Sequence, residues 1–122
     1  MAEAKPGRSC PRHYRYSPAV FSQAAALCAE SLYVVGGLYG NPEALAAVLE
    51  LAQREDATLV FNGDFNWFDA TAEDFAAVNE TVLRHAALRG NVETEIAAED
   101  SGAGCGCGYP EWVGDAEVAR PN

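Results

Sequence analysis

The sequence predicts an α/β fold in which parallel strands and helices alternate in the order β-α-β-α-β. Two apolar runs, Leu32 to Val35 and Thr58 to Phe61, each precede a segment with helical periodicity, and a third short run, Ala87 to Arg89, follows. Strands that alternate with helices form parallel sheets with right-handed crossovers. Because the carboxyl ends of parallel strands share one edge of the sheet, we expect the three following turns to meet there, where open α/β sheets bind ligands.

The first predicted unit is a strand, a glycine-rich turn and a helix. The run Leu32 to Val35 is apolar and ends in β-branched residues, which is typical of a buried strand. Asn41 can cap the helix, and Pro42 takes its first position, where a missing N–H is tolerated. Apolar residues then recur at helical spacing and predict one buried stripe, made of Leu45, Val48, Leu49 and Ala52.

The second unit repeats this pattern. Thr58 to Phe61 predicts a strand, and Thr71 can cap a helix because Asp74 follows three residues later in a box-like arrangement. The predicted buried face of this helix consists of Phe75, Val78, Val82 and Leu83. Ala87 to Arg89 is the candidate third strand.

Composition divides the chain into three segments. Residues 1–31 read as an N-terminal arm with a short helix around Gln23 to Ala29, residues 32–98 as a partial domain, and residues 99–122 as a Gly/Cys-rich loop and truncated tail. The cysteines match no disulfide framework and indicate free thiols in a reducing, cytoplasmic compartment: Cys10, Cys28, Cys105 and Cys107. A redox or metal role for Cys105 and Cys107 is the alternative to a flexible loop.

The charge of the chain bears on its partners. The formal net charge is -10, and half of the 8 basic residues lie in the arm: Lys5, Arg8, Arg12 and Arg15. An acidic body repels phosphate backbones, so we expect no nucleic-acid partner. We also expect no membrane partner, because no apolar run approaches the roughly 20 residues that span a bilayer. The open edge of a three-stranded sheet favours a homodimer joined by strand pairing.

Two of the predicted turns place a glycine before a short oxygen-bearing side chain. These pairs are Gly63-Asp64 and Gly90-Asn91. Glycine permits a sharp bend, and oxygens that converge from separate strands suit a hard cation. A phosphate-binding loop is excluded because Asn41 and Pro42 follow Gly40, and a dinucleotide fingerprint is excluded by its glycine spacing.

Three ordered blocks, "VVGGLYGNPEALAAVLELA", "LVFNGDFNWFD" and "LRGNVE", resemble the first half of a calcineurin-like metallophosphoesterase. The resemblance implies one half of a four-layer α/β/β/α sandwich. It also implies a phosphoric ester hydrolase (phosphatase or phosphodiesterase) that acts on a small phosphoester and uses divalent metal, Mn, Fe or Zn. By resemblance, Asp64 and Asn91 are the metal ligands.

Several positions depart from the family pattern. Gly37 and Tyr39 stand where the family's first block has its aspartate and histidine, and Val92 stands where the third block has a histidine. The family's later histidine blocks are missing, so the resemblance implies a truncated chain with an altered or lost metal centre. We therefore expect no two-metal catalysis by this chain alone, and a chain without metal is the alternative.

Simpler roles remain open for each candidate. Asp64 and Asn91 can satisfy the backbone of their turns instead of binding a cation. Glu93 and Asp69 are substitute ligands or, as we favour, solvated carboxylates. Tyr39 is expected to close its turn against Phe65 or Trp67.

Of the aromatic residues after Asp64, we expect at least two to enter the core and one to form a cleft wall: Phe65, Trp67 and Phe68. The competing function is a non-catalytic acidic α/β module for binding or dimerisation.

Overall fold

Three short parallel strands form the sheet in the computed structural model of the protein, which describes residues 14–69 and 71–98. The strands pair in the order β1-β2-β3 and have the bounds β1 (Leu32–Val35), β2 (Thr58–Phe61) and β3 (Ala86–Ala87). The helices are α1 (Pro42–Arg54), α2 (Ala72–Val82) and α3 (Asn91–Ala97). The predicted α/β fold with parallel strands is therefore confirmed.

Side-chain caps fix the starts of the two crossover helices. The side chain of Asn41 accepts the N–H of Ala44 at 2.9 Å, and Pro42 is the first residue of α1. The side chain of Thr71 accepts the N–H of Asp74 at 3.0 Å, and α2 begins at the next residue. Both predicted caps are confirmed, because each satisfies a backbone donor that the first turn of a helix leaves without a partner.

The core lies between the sheet and helices α1 and α2. Leu59 and Phe61 of β2 are buried there with Leu45 and Ala52 of α1, and Val78 and Val82 of α2 close the cluster. Val48 and Leu49 pack against its margin. Both crossovers thus cover the same face of the sheet, as right-handed connections between adjacent parallel strands require.

The structure corrects several details of the prediction. The third strand is Ala86–Ala87, which begins one residue and ends two residues before the predicted run Ala87 to Arg89. Helix α3 begins at Asn91, within the turn predicted at Gly90-Asn91. Leu83 was expected on the buried face of α2 but is 60% exposed, because it is the C-cap of that helix and lies past its last buried residue.

The arm also differs from expectation. No helix forms around Gln23 to Ala29; a 3-10 helix occupies Pro18–Ser22 instead, with Pro18 at its start and the Ser17 side chain as its cap. Proline at the first position and serine at the cap explain this start. Within residues 14–69 and 71–98 no helix has the length and apolar character that a bilayer span requires. The predicted loop and tail at 99–122 lie outside the described residues.

Candidate functional site

The backbone of Asp64 joins the turns that follow β1 and β2. Its carbonyl oxygen accepts the N–H groups of Leu38 and Tyr39, both at 3.0 Å, and the carbonyl of Phe65 accepts the N–H of Gly40 at 2.8 Å. The glycine-rich turn after β1 therefore lies directly against the Gly63-Asp64 turn.

The side chain of Asp64 reaches the third turn. Its Oδ1 accepts the N–H of Val92 at 3.2 Å, and the residue before Val92 is Asn91, the first residue of α3. The structure thus brings the two predicted ligand positions, Asp64 and Asn91, to the same edge of the sheet. Of the two roles considered for Asp64, acceptance of a backbone N–H is the one observed.

Two glycines permit this close approach. A Cβ on Gly63, which has a φ of +79°, would lie 2.7 Å from the Cα of Gly90, and a Cβ on Gly90 would lie 2.2 Å from Oδ1 of Asp64. Real Cβ atoms do not approach other atoms this closely, so any larger residue at either position separates the turns. The glycines of the two family-like blocks therefore serve packing as well as bending.

Glu93 ties the second and third turns together. Its Oε2 accepts the N–H groups of Asp64 at 2.8 Å and Gly90 at 2.9 Å, and its Oε1 accepts those of Phe65 at 3.0 Å and Asn66 at 3.4 Å. The expectation of a solvated carboxylate is wrong for Glu93. The signal that could have revealed this role is its position three residues after a helix-initiating glycine, where a glutamate can reach back to the cap N–H.

The three turns that meet around Asp64, at Leu38 to Gly40, Gly63 to Asn66 and Gly90 to Glu93, are called the rim below. The electrostatics of the rim disfavour a further negative charge. Burial raises the pKa of the Asp64 carboxyl above its usual range, the hydrogen bond from Val92 opposes that rise, and the nearby charge of Glu93 adds to it. A cation near Asp64 would relieve both unfavourable effects, because it stabilises the ionised form.

The aromatic residues after Asp64 divide between the core and the surface. Phe65 and Trp67 are buried, which confirms the prediction of at least two core residues, whereas Phe68 is 50% exposed. The ring contact that the structure shows for Tyr39 is with Phe68, with a centroid separation of 5.9 Å.

The loop from Asn66 to Asp69 is strained and carries buried polar atoms that lack partners among the described residues. Trp67 has a φ of +128°, which is rare for a bulky residue, and its indole Nε1 has no hydrogen bond there. Oδ1 of Asn66 and Oδ1 of Asp69 are likewise buried without a hydrogen bond to a described residue. Asn66 does bind Asn79 of α2 through its amide nitrogen at 3.1 Å, and Oδ2 of Asp69 accepts the N–H of Trp67 at 3.0 Å.

The described residues around Asp64 do not fit a two-metal centre. Within the described part of the chain there is no group of three or more His, Cys, Asp or Glu side chains placed to hold a metal ion. Both oxygens of Glu93 accept backbone N–H groups, and Oδ1 of Asp64 accepts another. Two adjacent cations repel each other strongly unless several carboxylates and imidazoles surround them, and this rim does not provide that set.

A shallow pocket lies beside the rim. Its volume is about 310 Å³, and its wall includes Phe65, Leu88, Arg89 and Glu93. A larger pocket of about 510 Å³ lies at the opposite end of the strands, beside Arg84 and His85. His85 follows the end of α2 at Val82, and its ring contacts that of Phe61 with centroids 5.9 Å apart.

Comparison of the chain with protein-family models, with curated proteins and with solved structures yields no match.

Proposed function

We propose that the chain is a metallophosphoesterase-like protein, of the phosphoric ester hydrolase type, whose metal centre is altered or lost. In this proposal the sheet is the helix-covered half of an α/β/β/α sandwich, and Asp64 and Asn91 are what remains of its ligand set. One observation carries the proposal: three turns from three parallel strands meet around Asp64, through its carbonyl and its carboxylate. Asp64 is half-buried where the turns meet, and a carboxyl whose pKa is raised in this way is a candidate for a functional site.

The chemistry of the rim limits what this protein does alone. With Glu93 engaged by backbone N–H groups, Asp64 is the one carboxylate at a matched position that could contact Mn²⁺, Fe²⁺ or Zn²⁺. We therefore propose that the chain contacts one cation weakly at most and does not hydrolyse phosphoesters by a two-metal route.

The test is a calorimetric titration with Mn²⁺, paired with an assay of p-nitrophenyl phosphate hydrolysis. Asp64→Asn is the variant and Asp56→Asn the matched control, because Asp56 also has a left-handed backbone, with φ values of 55° and 52° respectively. The expected result is weak binding that Asp64→Asn abolishes and Asp56→Asn leaves unchanged, with no turnover. Turnover that survives Asp64→Asn would contradict the family assignment of this residue.

A second function is a non-catalytic acidic α/β module that binds a ligand at the same rim. It is favoured by the exposed ring pair of Tyr39 and Phe68, which offers an apolar surface beside the three turns. The probe is phenyl phosphate without added metal. Binding weakened by Phe68→Ala but not by Phe21→Ala, a control in the arm that is 87% exposed, would support this module. Equal effects of both substitutions would exclude the rim.

A further inference from the structure

The described part of the N-terminal arm extends from one end of the sheet to the other. Its last residue, Ser31, accepts the N–H of Thr58 at 2.9 Å where β1 and β2 begin. Its first described residue, Tyr14, donates its phenolic O–H to Oε1 of Glu95 across 81 residues of sequence. Glu95 lies in α3, which follows the carboxyl end of β3. The arm is therefore attached to the domain at both ends of the strands.

Between these two attachments the arm is exposed to solvent. Residues 15–31 are all exposed, and the 3-10 helix Pro18–Ser22 contributes no buried residue. Leu27, which lines the pocket beside His85, is itself 41% exposed. Segments with few buried contacts open at a lower free energy than the core of a protein does. The arm therefore detaches more readily than the strands and the crossover helices separate.

The contact between Tyr14 and Glu95 stabilises a short helix. Glu95 is 6% exposed, and a buried carboxyl group is costly unless hydrogen-bond donors such as the phenol of Tyr14 reach it. Helix α3 has seven residues, and a helix of this length depends on contacts with the rest of the protein. Val92 and Ile96 provide part of that contact by packing against Trp67. Detachment of Tyr14 removes a donor from Glu95, so it leaves α3 less firmly held.

We propose that the arm is a strap that holds α3 in place and thereby controls the order of the rim. Helix α3 carries Glu93, whose carboxylate accepts N–H groups of the second and third turns, and Val92, whose N–H is bound by Asp64. Release of the strap loosens the helix that joins these turns while the core stays folded. Proteolytic cleavage within the exposed arm is the kind of event that releases it. The proposal does not depend on the phosphoesterase kinship.

Urea unfolding of the full chain, followed by two probes, tests the strap. Trp67 packs against α3 and is 2% exposed, so its fluorescence reports on α3, whereas far-ultraviolet circular dichroism reports mainly on the longer helices α1 and α2. The background substitution Trp112→Phe leaves Trp67 as the single tryptophan. Tyr14→Phe keeps the ring and removes the O–H group. Tyr16→Phe is the matched control, because Tyr16 lies in the same arm and is 67% exposed.

In Tyr14→Phe the equilibrium constant for exposure of Trp67 is expected to rise about tenfold, which corresponds to about 1.4 kcal/mol. The fluorescence transition then moves to lower urea while the dichroism transition stays in place, and Tyr16→Phe changes neither. The effect of Tyr14→Phe is expected to vanish in a Glu95→Leu background, which lacks the acceptor.

Three outcomes would overturn the proposal. The first is an unchanged fluorescence transition in Tyr14→Phe. The second is an equal shift of both transitions, which would mean that Tyr14 stabilises the whole fold and not α3 in particular. The third is an effect of Tyr14→Phe that persists in the Glu95→Leu background, which would mean that it does not act through Glu95.

Discussion

The carboxylate of Glu93 accepts the backbone N–H of Asp64 at 2.8 Å across 29 residues of sequence. This contact links the third turn of the rim to the second, and the same side chain accepts three further N–H groups. Glu93 thus organises the backbone of the turns that a ligand at the rim would contact.

Glu93→Gln tests this organising role. An amide retains one oxygen, so the N–H groups that face its nitrogen lose their acceptor, and we expect the free energy of unfolding to fall by about 3 kcal/mol. Urea denaturation at neutral pH measures the change. Glu50→Gln, on the exposed side of α1, is the control and should have little effect. A loss below about 1 kcal/mol for Glu93→Gln would show that water replaces these contacts easily.

Gly90→Ala should be among the most destabilising single substitutions in the described domain. The added Cβ would lie 2.2 Å from Oδ1 and 2.7 Å from the backbone N of Asp64, so the second and third turns must separate. We expect a loss of about 3 kcal/mol or more. Gly36→Ala is the matched control, because a Cβ there meets nothing within 4 Å. Similar melting temperatures for the two variants would contradict the close approach of the turns.

Asp64→Asn should change how stability depends on pH. Burial raises the pKa of this carboxyl in the folded state, so its contribution is fully present below the unfolded value of 3.8 and is lost as the pH rises through the folded value. The variant lacks that loss, and its stability relative to wild type should increase from acidic to neutral pH. Urea unfolding over this range, with a chelator present, measures the difference, and parallel curves would refute the prediction.

Asp56→Gly should stabilise the protein. Asp56 is exposed, follows the C-cap of α1 and has a φ of 52°, a conformation that glycine adopts without strain. We expect a gain of about 0.5 kcal/mol, since the larger backbone entropy of glycine offsets part of the relief. Gln53→Gly, in the last turn of the same helix, should instead lose about 1 kcal/mol. Thermal unfolding compares the two variants, and a loss in both would show that Asp56 is not strained.

The fold was largely predictable because its signals are local. Asn41 and Thr71 mark helix starts through their own side chains, and the apolar runs of β1 and β2 have the bounds that the sequence predicts. Helix α3 was missed because its first turn contains the glycine-asparagine pair that otherwise indicates a turn. Seven residues also carry too little periodicity to identify a helix.

The site was less predictable because its contacts are not local. Residue types and strand order placed Asp64 and Asn91 on one edge, but nothing in the sequence shows that Val92 offers its N–H to the carboxylate of Asp64. The pairing of Tyr39 with Phe68 likewise depends on the left-handed backbone at Tyr39, whose φ is 51°.

The hydrogen bonds from Leu38 and Tyr39 to the carbonyl of Asp64 have a dynamic consequence. Neither amide can exchange its proton with solvent unless the first turn separates from the second. The second turn is itself hydrogen-bonded to α3 through Asp64. The amides of all three turns should therefore exchange deuterium together, as one cooperative unit that opens in a single event.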